Sequence, residues 1–372
     1  MTQRFLRHAK LFTLLGCLII GGGAVHTTAE SLDAGETGNP GWHVVVHITG
    51  SIKVKREGWK HFAPAMFGTM LRRGDTLLLE EPAHATVVCS DLTMRDVPRG
   101  VSGVPCKAAS SDLVYKQSRI HPLKGSVSDE FPVIISPRKT KLLNPRPTLR
   151  WTPVKGISQY KVSIRGSDNI SWTMDAASNT EVIEFSYPSG APALKPGAAY
   201  KVTVTAGNRS SDSEPLPDLG FTVLEPGKVQ EVRDREKKIR TLGLADAPTW
   251  FLIASLYASQ DLNAEAIEQL EGLGELKEPA VMRSLGDLYL KIGLSRLAER
   301  RYLRATELSQ DANDKEGQAL AEAALGRIYH EVFSNRTEAA RHLKIAKQLY
   351  EGLGDAATAQ QLQERLVKLR SP

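Results

Sequence analysis

The sequence has little of what usually advertises a function. Three cysteines in 372 residues exclude a scaffold held chiefly by disulfides, which would carry a far larger share. Charge of one sign is missing too. The chain holds 48 basic and 42 acidic residues. From Lys228 onward there are 22 of each, and residues 1–29 hold 3 basic residues and no acid. Residues 30–227 therefore carry 48 − 22 − 3 = 23 basic and 42 − 22 = 20 acidic residues. A phosphate-binding surface shows as a one-sided cluster, so nucleic acid is not an expected partner. The one long apolar run, Leu11 to Val25, falls short of the roughly 20 residues that cross a bilayer.

Catalytic signatures are also absent. There is no Gly-rich loop ending in Lys-Ser/Thr, no paired-His metal helix and no nucleophile elbow. Ser136-Pro137-Arg138-Lys139 and Ser167-Asp168-Asn169 match two penicillin-binding motifs, but the third, Lys-Thr-Gly, does not occur. Short patterns of this kind arise by chance. His43 and His47 share one face of an expected strand, with no carboxylate or third ligand close by. These absences predict no enzyme, no cofactor and no metal site.

What is present begins with an export signal. Arg4, Arg7 and Lys10 precede the apolar run, and Thr27-Thr28-Ala29 offers small residues for cleavage. Residues 1–29 are expected to be removed, leaving Glu30 first. The alternatives are an uncleaved membrane anchor and a lipoprotein box at Leu14-Leu15-Gly16-Cys17. Cleavage leaves Cys89 and Cys106, which in an exported chain are expected to form one disulfide. Closing a loop of 106 − 89 = 17 residues contributes about 3 kcal/mol in the chain-entropy model.

The expected fold is multidomain, β followed by α. In residues 30–125, Trp42 to Ile48 and Ser51 to Arg56 alternate at period two, and "LRRGDTLLLEEPAHATVVCSDL" places a Gly-Asp turn before a strand. This order resembles the small ligand-facing β-domain named after the iron-citrate regulator FecR. The resemblance implies a Gram-negative-type bacterium and a periplasmic or cell-envelope location. Three glycosylation sequons, at Asn169, Asn208 and Asn335, matter only in a eukaryotic secretory pathway. Residues 131–225 read as a β-sandwich. A strand ends at Trp151, another alternates from Tyr160 to Arg165, and Leu194-Lys195-Pro196-Gly197 leads to Tyr200 at the head of a third. That last arrangement resembles the tyrosine corner of immunoglobulin-like and fibronectin type III domains.

Residues 228–372 are expected to be all-helical and repetitive. Trp250, Ile253-Ala254, Tyr257, Ala266 and Leu270 form one copy of a pattern. Met282, Leu285-Gly286, Tyr289, Ala298 and Tyr302 form a second, and Leu325-Gly326, Tyr329, Ala339 and Leu343 a third. The pattern resembles the tetratricopeptide repeat. Its tyrosines lie 289 − 257 = 32 and 329 − 289 = 40 residues apart, and the longer gap predicts an extended loop at Gln310–Gly317. Ala356 to Leu369 would cap the stack. The resemblance implies a concave groove for a partner protein or peptide, lined by Phe251, Ser255, Arg283, Asp287, Lys291, Arg327, His330 and Glu331. The expected function is a non-enzymatic, exported protein-binding scaffold or assembly factor of the envelope. The alternatives are a sensor or adhesin taking a glycan or small ligand at its β-domains, and an enzyme with an unrecognised site.

Overall fold

Alternating apolar residues make strands with one buried face, and the first strand departs from that rule because both its faces are covered. The computed structural model describes residues 43–107, 130–178, 180, 182–214, 216 and 219–370. The expected export signal, the alternative lipidation site at Cys17 and Trp42 lie outside them. Strand β1 (His43–Thr49) is followed by β2 (Ile52–Lys55), β3 (Ala63–Pro64), β4 (Met70–Leu71), β5 (Thr76–Leu79), β6 (His84–Val88), β7 (Met94–Asp96) and β8 (Gly100–Gly103). They pair antiparallel as two four-stranded sheets, β4-β1-β6-β7 and β3-β2-β5-β8. Val45 of β1 joins Ile52, Val54, Leu77, Leu79 and Val87 in the core of this region. Its neighbours Val44 and Val46 belong instead to a cluster made mostly of helical residues.

A register shift between Val45 and His47 also separates the two histidines expected to share a face. His43 is buried, with Nδ1 accepting from the Ser90 N–H at 3.1 Å, whereas His47 is exposed. Cys89 and Cys106 form a disulfide with a Cα–Cα separation of 5.6 Å, consistent with an oxidising compartment. Replacing both cysteines with serine is expected to cost about 3 kcal/mol. Urea unfolding of the two proteins, compared by circular dichroism, measures this; equal midpoints would contradict it.

The second β-region comprises β9 (Ile134–Ser136), β10 (Thr140–Leu142), β11 (Thr148–Trp151), β12 (Gln159–Gly166), β13 (Ser171–Ala177), β14 (Ile183–Ser186), β15 (Ala199–Ala206), β16 (Arg209–Ser210) and β17 (Phe221–Val223). One sheet runs β10-β17-β15-β12-β13, with β16 also paired to β15, and the other runs β14-β11-β9. Trp151 is fully buried in the core, with its ring edge-on to Tyr160 at 5.9 Å. The Tyr200 hydroxyl accepts from the Lys195 N–H at 2.6 Å and donates to Asp168 Oδ2 at 2.9 Å. Asp168, part of a three-letter motif match, thus anchors a core tyrosine.

Eight α-helices complete the described residues: α1 (Pro226–Arg240), α2 (Asp246–Ser259), α3 (Asn263–Gly272), α4 (Pro279–Lys291), α5 (Ser295–Asp311), α6 (Lys315–Glu331), α7 (Arg336–Leu353) and α8 (Ala356–Arg370). The three copies of the sequence pattern fall on the pairs α2/α3, α4/α5 and α6/α7. The extended loop expected at Gln310–Gly317 does not exist. Helix α5 runs through Asp311 and α6 starts at Lys315, each 17 residues long against 13 for α4. The extra residues lengthen both helices and leave only residues 312–314 between them. Asp314 then caps α6 by accepting the Gly317 N–H at 2.8 Å.

The described residues form one compact unit, and the second β-region meets the helices through the β9–β10 corner. The Lys141 N–H donates to Asp261 O at 2.9 Å, and Asn263 Nδ2 donates to Lys139 O at 2.6 Å. Glu265 of α3 accepts the Leu143 N–H at 2.7 Å, while its other oxygen is buried without a hydrogen-bond partner. Burial pushes this carboxyl up to about 7, against the opposing Leu143 hydrogen bond. The folded state therefore holds a proton that the unfolded chain releases at a lower pH. The stability from Glu265 is present below its unfolded pKa of 4.5 and is lost as pH rises to about 7. Glu265→Gln is expected to flatten the stability–pH curve across that window. Urea titrations at pH 5 and 7.5 test it, and parallel curves for both proteins would refute it.

Candidate functional site

The inner helices α2, α4 and α6 present their side chains to the first β-region, and a cavity of about 240 Å³ lies between them. Its β-wall is the segment Gly68–Arg72 with Arg56, and its helical wall includes Phe251, Ser255, Arg283, Asp287, Asp314 and Arg327. Five of the eight groove residues expected from sequence therefore meet at one place. Lys291, His330 and Glu331 do not line it. Lys291 pairs with Asp261 Oδ1 at 2.9 Å at the turn between α2 and α3, His330 is exposed, and Glu331 is half-buried.

The first β-region is attached along the stack at several points. Near α1, Lys238 Nζ donates to Asp91 O at 2.7 Å. At α2, the rings of Phe67 and Phe251 meet edge-on at 5.2 Å, and Phe251 is only 2% exposed. Gly68, with φ at +76°, brings the turn so close that a Cβ there would lie 2.5 Å from the Ala280 Cβ. At α6, Arg56 donates from Nε and Nη2 to the two Glu316 oxygens, both at 2.9 Å, and from Nη1 to Asp75. At the far end, Trp59 Nε1 donates to Asp355 Oδ2 at 3.0 Å, and Asp355 in turn accepts the Thr358 N–H at 2.9 Å in the first turn of α8. The Gly-Asp turn thus serves this attachment, because Asp75 holds Arg56 and accepts the Arg72 N–H at 2.7 Å.

Inside the cavity the charges are unevenly matched. Asp287 Oδ1 accepts from the Tyr302 hydroxyl at 2.6 Å. Burial pushes the Asp287 carboxyl above its ordinary range, opposed by that bond and by Arg283 and Arg327. Burial raises Asp314 likewise, against the pull of Arg283. Arg283 Nη1 lies 3.7 Å from Asp314 Oδ2, an ion pair beyond hydrogen-bond reach, and the nitrogen is buried with no hydrogen-bond partner. Ser255 is turned inward on its own helix and donates to Phe251 O at 2.8 Å.

Sequence reasoning missed the β-wall. Arg56 and Arg72 carried no sign of function, since they read as a strand end and the approach to a turn, and Gly68–Thr69 fell in the stretch between expected strands. Asp314 and Glu316 were absorbed into an expected loop. His43, Cys89 and Cys106 also cluster, with potential ligand atoms within 4.8 Å of one another, but here the two sulfurs bond to each other. No family model matches the chain, and no curated protein is significantly similar to it.

Proposed function

We propose that the chain is an exported, non-enzymatic protein-binding scaffold or assembly factor of the bacterial envelope. In this reading a FecR-like domain and a fibronectin type III-like sandwich precede a tetratricopeptide-like stack, and the inner face of the stack meets the partner. The observation that carries it is the convergence of five side chains, from three successive inner helices, on one cavity. Helical repeats act through such composite inner faces, because stacking them creates one extended concave surface. The Cys89–Cys106 bridge supports export.

Because the first β-region covers much of this face, the partner meets a mouth between β-wall and helices rather than an open trough. Leu320 lines that mouth and is 39% exposed, which makes it a suitable position for a photo-crosslinking residue. In the whole mature protein, a crosslinker at 320 is expected to trap a defined envelope protein, and Arg283→Glu with Arg327→Glu to abolish that product while the far-UV spectrum is unchanged. Trapping that survives the double substitution would overturn the groove assignment.

A further inference from the structure

We infer that the cavity between the first β-region and the inner helices is a binding site for a small organic anion, whose carboxylate or phosphate group is held by Arg283. The inference rests on reading this face as the binding surface and names the chemistry the face would take. Four guanidinium groups line the space, those of Arg56, Arg72, Arg283 and Arg327, against the carboxylates of Asp287, Asp314 and Glu316. Arg56 and Glu316 satisfy each other through two parallel hydrogen bonds. Asp314 is engaged at the start of α6 with the Gly317 N–H, and Asp287 with the Tyr302 hydroxyl.

Arg283 stands apart. Its Nη1 is removed from solvent and lacks a hydrogen-bond acceptor, although a buried donor normally has one. Room for it exists because position 317 is glycine: a Cβ there would fall 2.6 Å from that nitrogen. A carboxylate or phosphate supplies the missing acceptor and fits the fork of a guanidinium. The two acids nearby do not take that place: Asp314 Oδ2 stands 3.7 Å away, beyond hydrogen-bond reach, and Asp287 is held by the Tyr302 hydroxyl.

The cavity also limits the ligand. At about 240 Å³ it is smaller than the roughly 300–1,000 Å³ of sites for drug-sized molecules. Phe251, Leu288 and Leu320 give it apolar walls. A short organic acid or phosphate ester with a few carbon atoms fits both limits. The β-wall makes the site composite, because the Gly68–Arg72 segment closes one side.

Isothermal titration of the whole mature protein with succinate and with glycerol phosphate tests this, using succinamide and glycerol as uncharged counterparts. At least one anion is expected to bind with a stoichiometry of one, and neither neutral compound to bind. Arg283→Gln should weaken the anion at least tenfold and Arg283→Lys less, because lysine keeps the charge and loses the fork. Arg327→Gln gives a second reading from another helix should the first variant fold poorly. The exposed Lys344→Gln is expected to leave binding unchanged. Absence of binding by both anions, or equal weakening by Lys344→Gln, overturns the site. Crosslinking of a partner that persists when neither anion binds would remove this inference and leave the scaffold reading standing.

Discussion

Arg138→Met is expected to destabilise the protein by about 3–5 kcal/mol, the usual cost of removing one partner from a buried ion pair. The side chains of Arg138 and Glu214 are both 0% exposed, and their facing atoms lie 2.6 Å apart. The second guanidinium nitrogen donates to the other Glu214 oxygen at 2.7 Å, and Nε donates to Ile292 O at 2.7 Å. One side chain therefore satisfies a buried carboxylate of the second β-region and a carbonyl at the end of α4. Methionine matches the volume but leaves the Glu214 carboxylate buried without its guanidinium. The double variant Arg138→Met/Glu214→Met removes both charges and is expected to recover much of the loss, because apolar replacement of a whole buried pair is often near neutral. Urea unfolding of the two single variants and the double variant closes the cycle. A double variant as unstable as the sum of the singles would show that the pair is not coupled.

Arg56→Met is expected to cost about 3–5 kcal/mol for the same reason, with a more local consequence. The Asp75 side chain is 2% exposed and would lose its counterion, while Glu316 would lose both of its charge-assisted bonds. Burial already pushes the Asp75 carboxyl up, and Arg56 is the main influence pulling it back. Without Arg56 it rises further. A raised acid favours the folded state below its unfolded pKa and loses that contribution as pH rises. The deficit of Arg56→Met relative to the parent should therefore be smaller at pH 5 than at pH 8. Hydrogen exchange is the second readout: protection should fall in Gly68–Arg72 and at the start of α6 before it falls in the second β-region. Uniform loss of protection would mean that Arg56 does not hold this particular contact.

Much of the secondary structure was legible because local periodicity decides it. The strand at Tyr160, the bond made by Tyr200, and the helix pairs carrying Tyr257, Tyr289 and Tyr329 all follow from spacing within a few residues. The Cys89–Cys106 bridge was legible from cysteine count and the expected export. The loop expected at Gln310–Gly317 was misread because a spacing of 40 residues between tyrosines can be absorbed by longer helices as well as by a loop. Spacing alone does not distinguish the two. The face shared by His43 and His47 was misread because one bulge reverses the alternation.

By itself the sequence determined the main strands, the helix pairs and, where no bulge intervenes, which residues share a face. It also placed five of the cavity's side chains on three inner helices. Only the tertiary structure decided what lies opposite that face. The contacts that seat the first β-region there join Arg56 to Glu316 and Trp59 to Asp355, 260 and 296 residues apart. Periodicity reports that a side chain faces inward, and it carries no information about which distant segment arrives to cover it. Phe251 shows the difference: it was legible as an aromatic on the groove side of α2, and only packing reveals that Phe67 meets its ring edge-on.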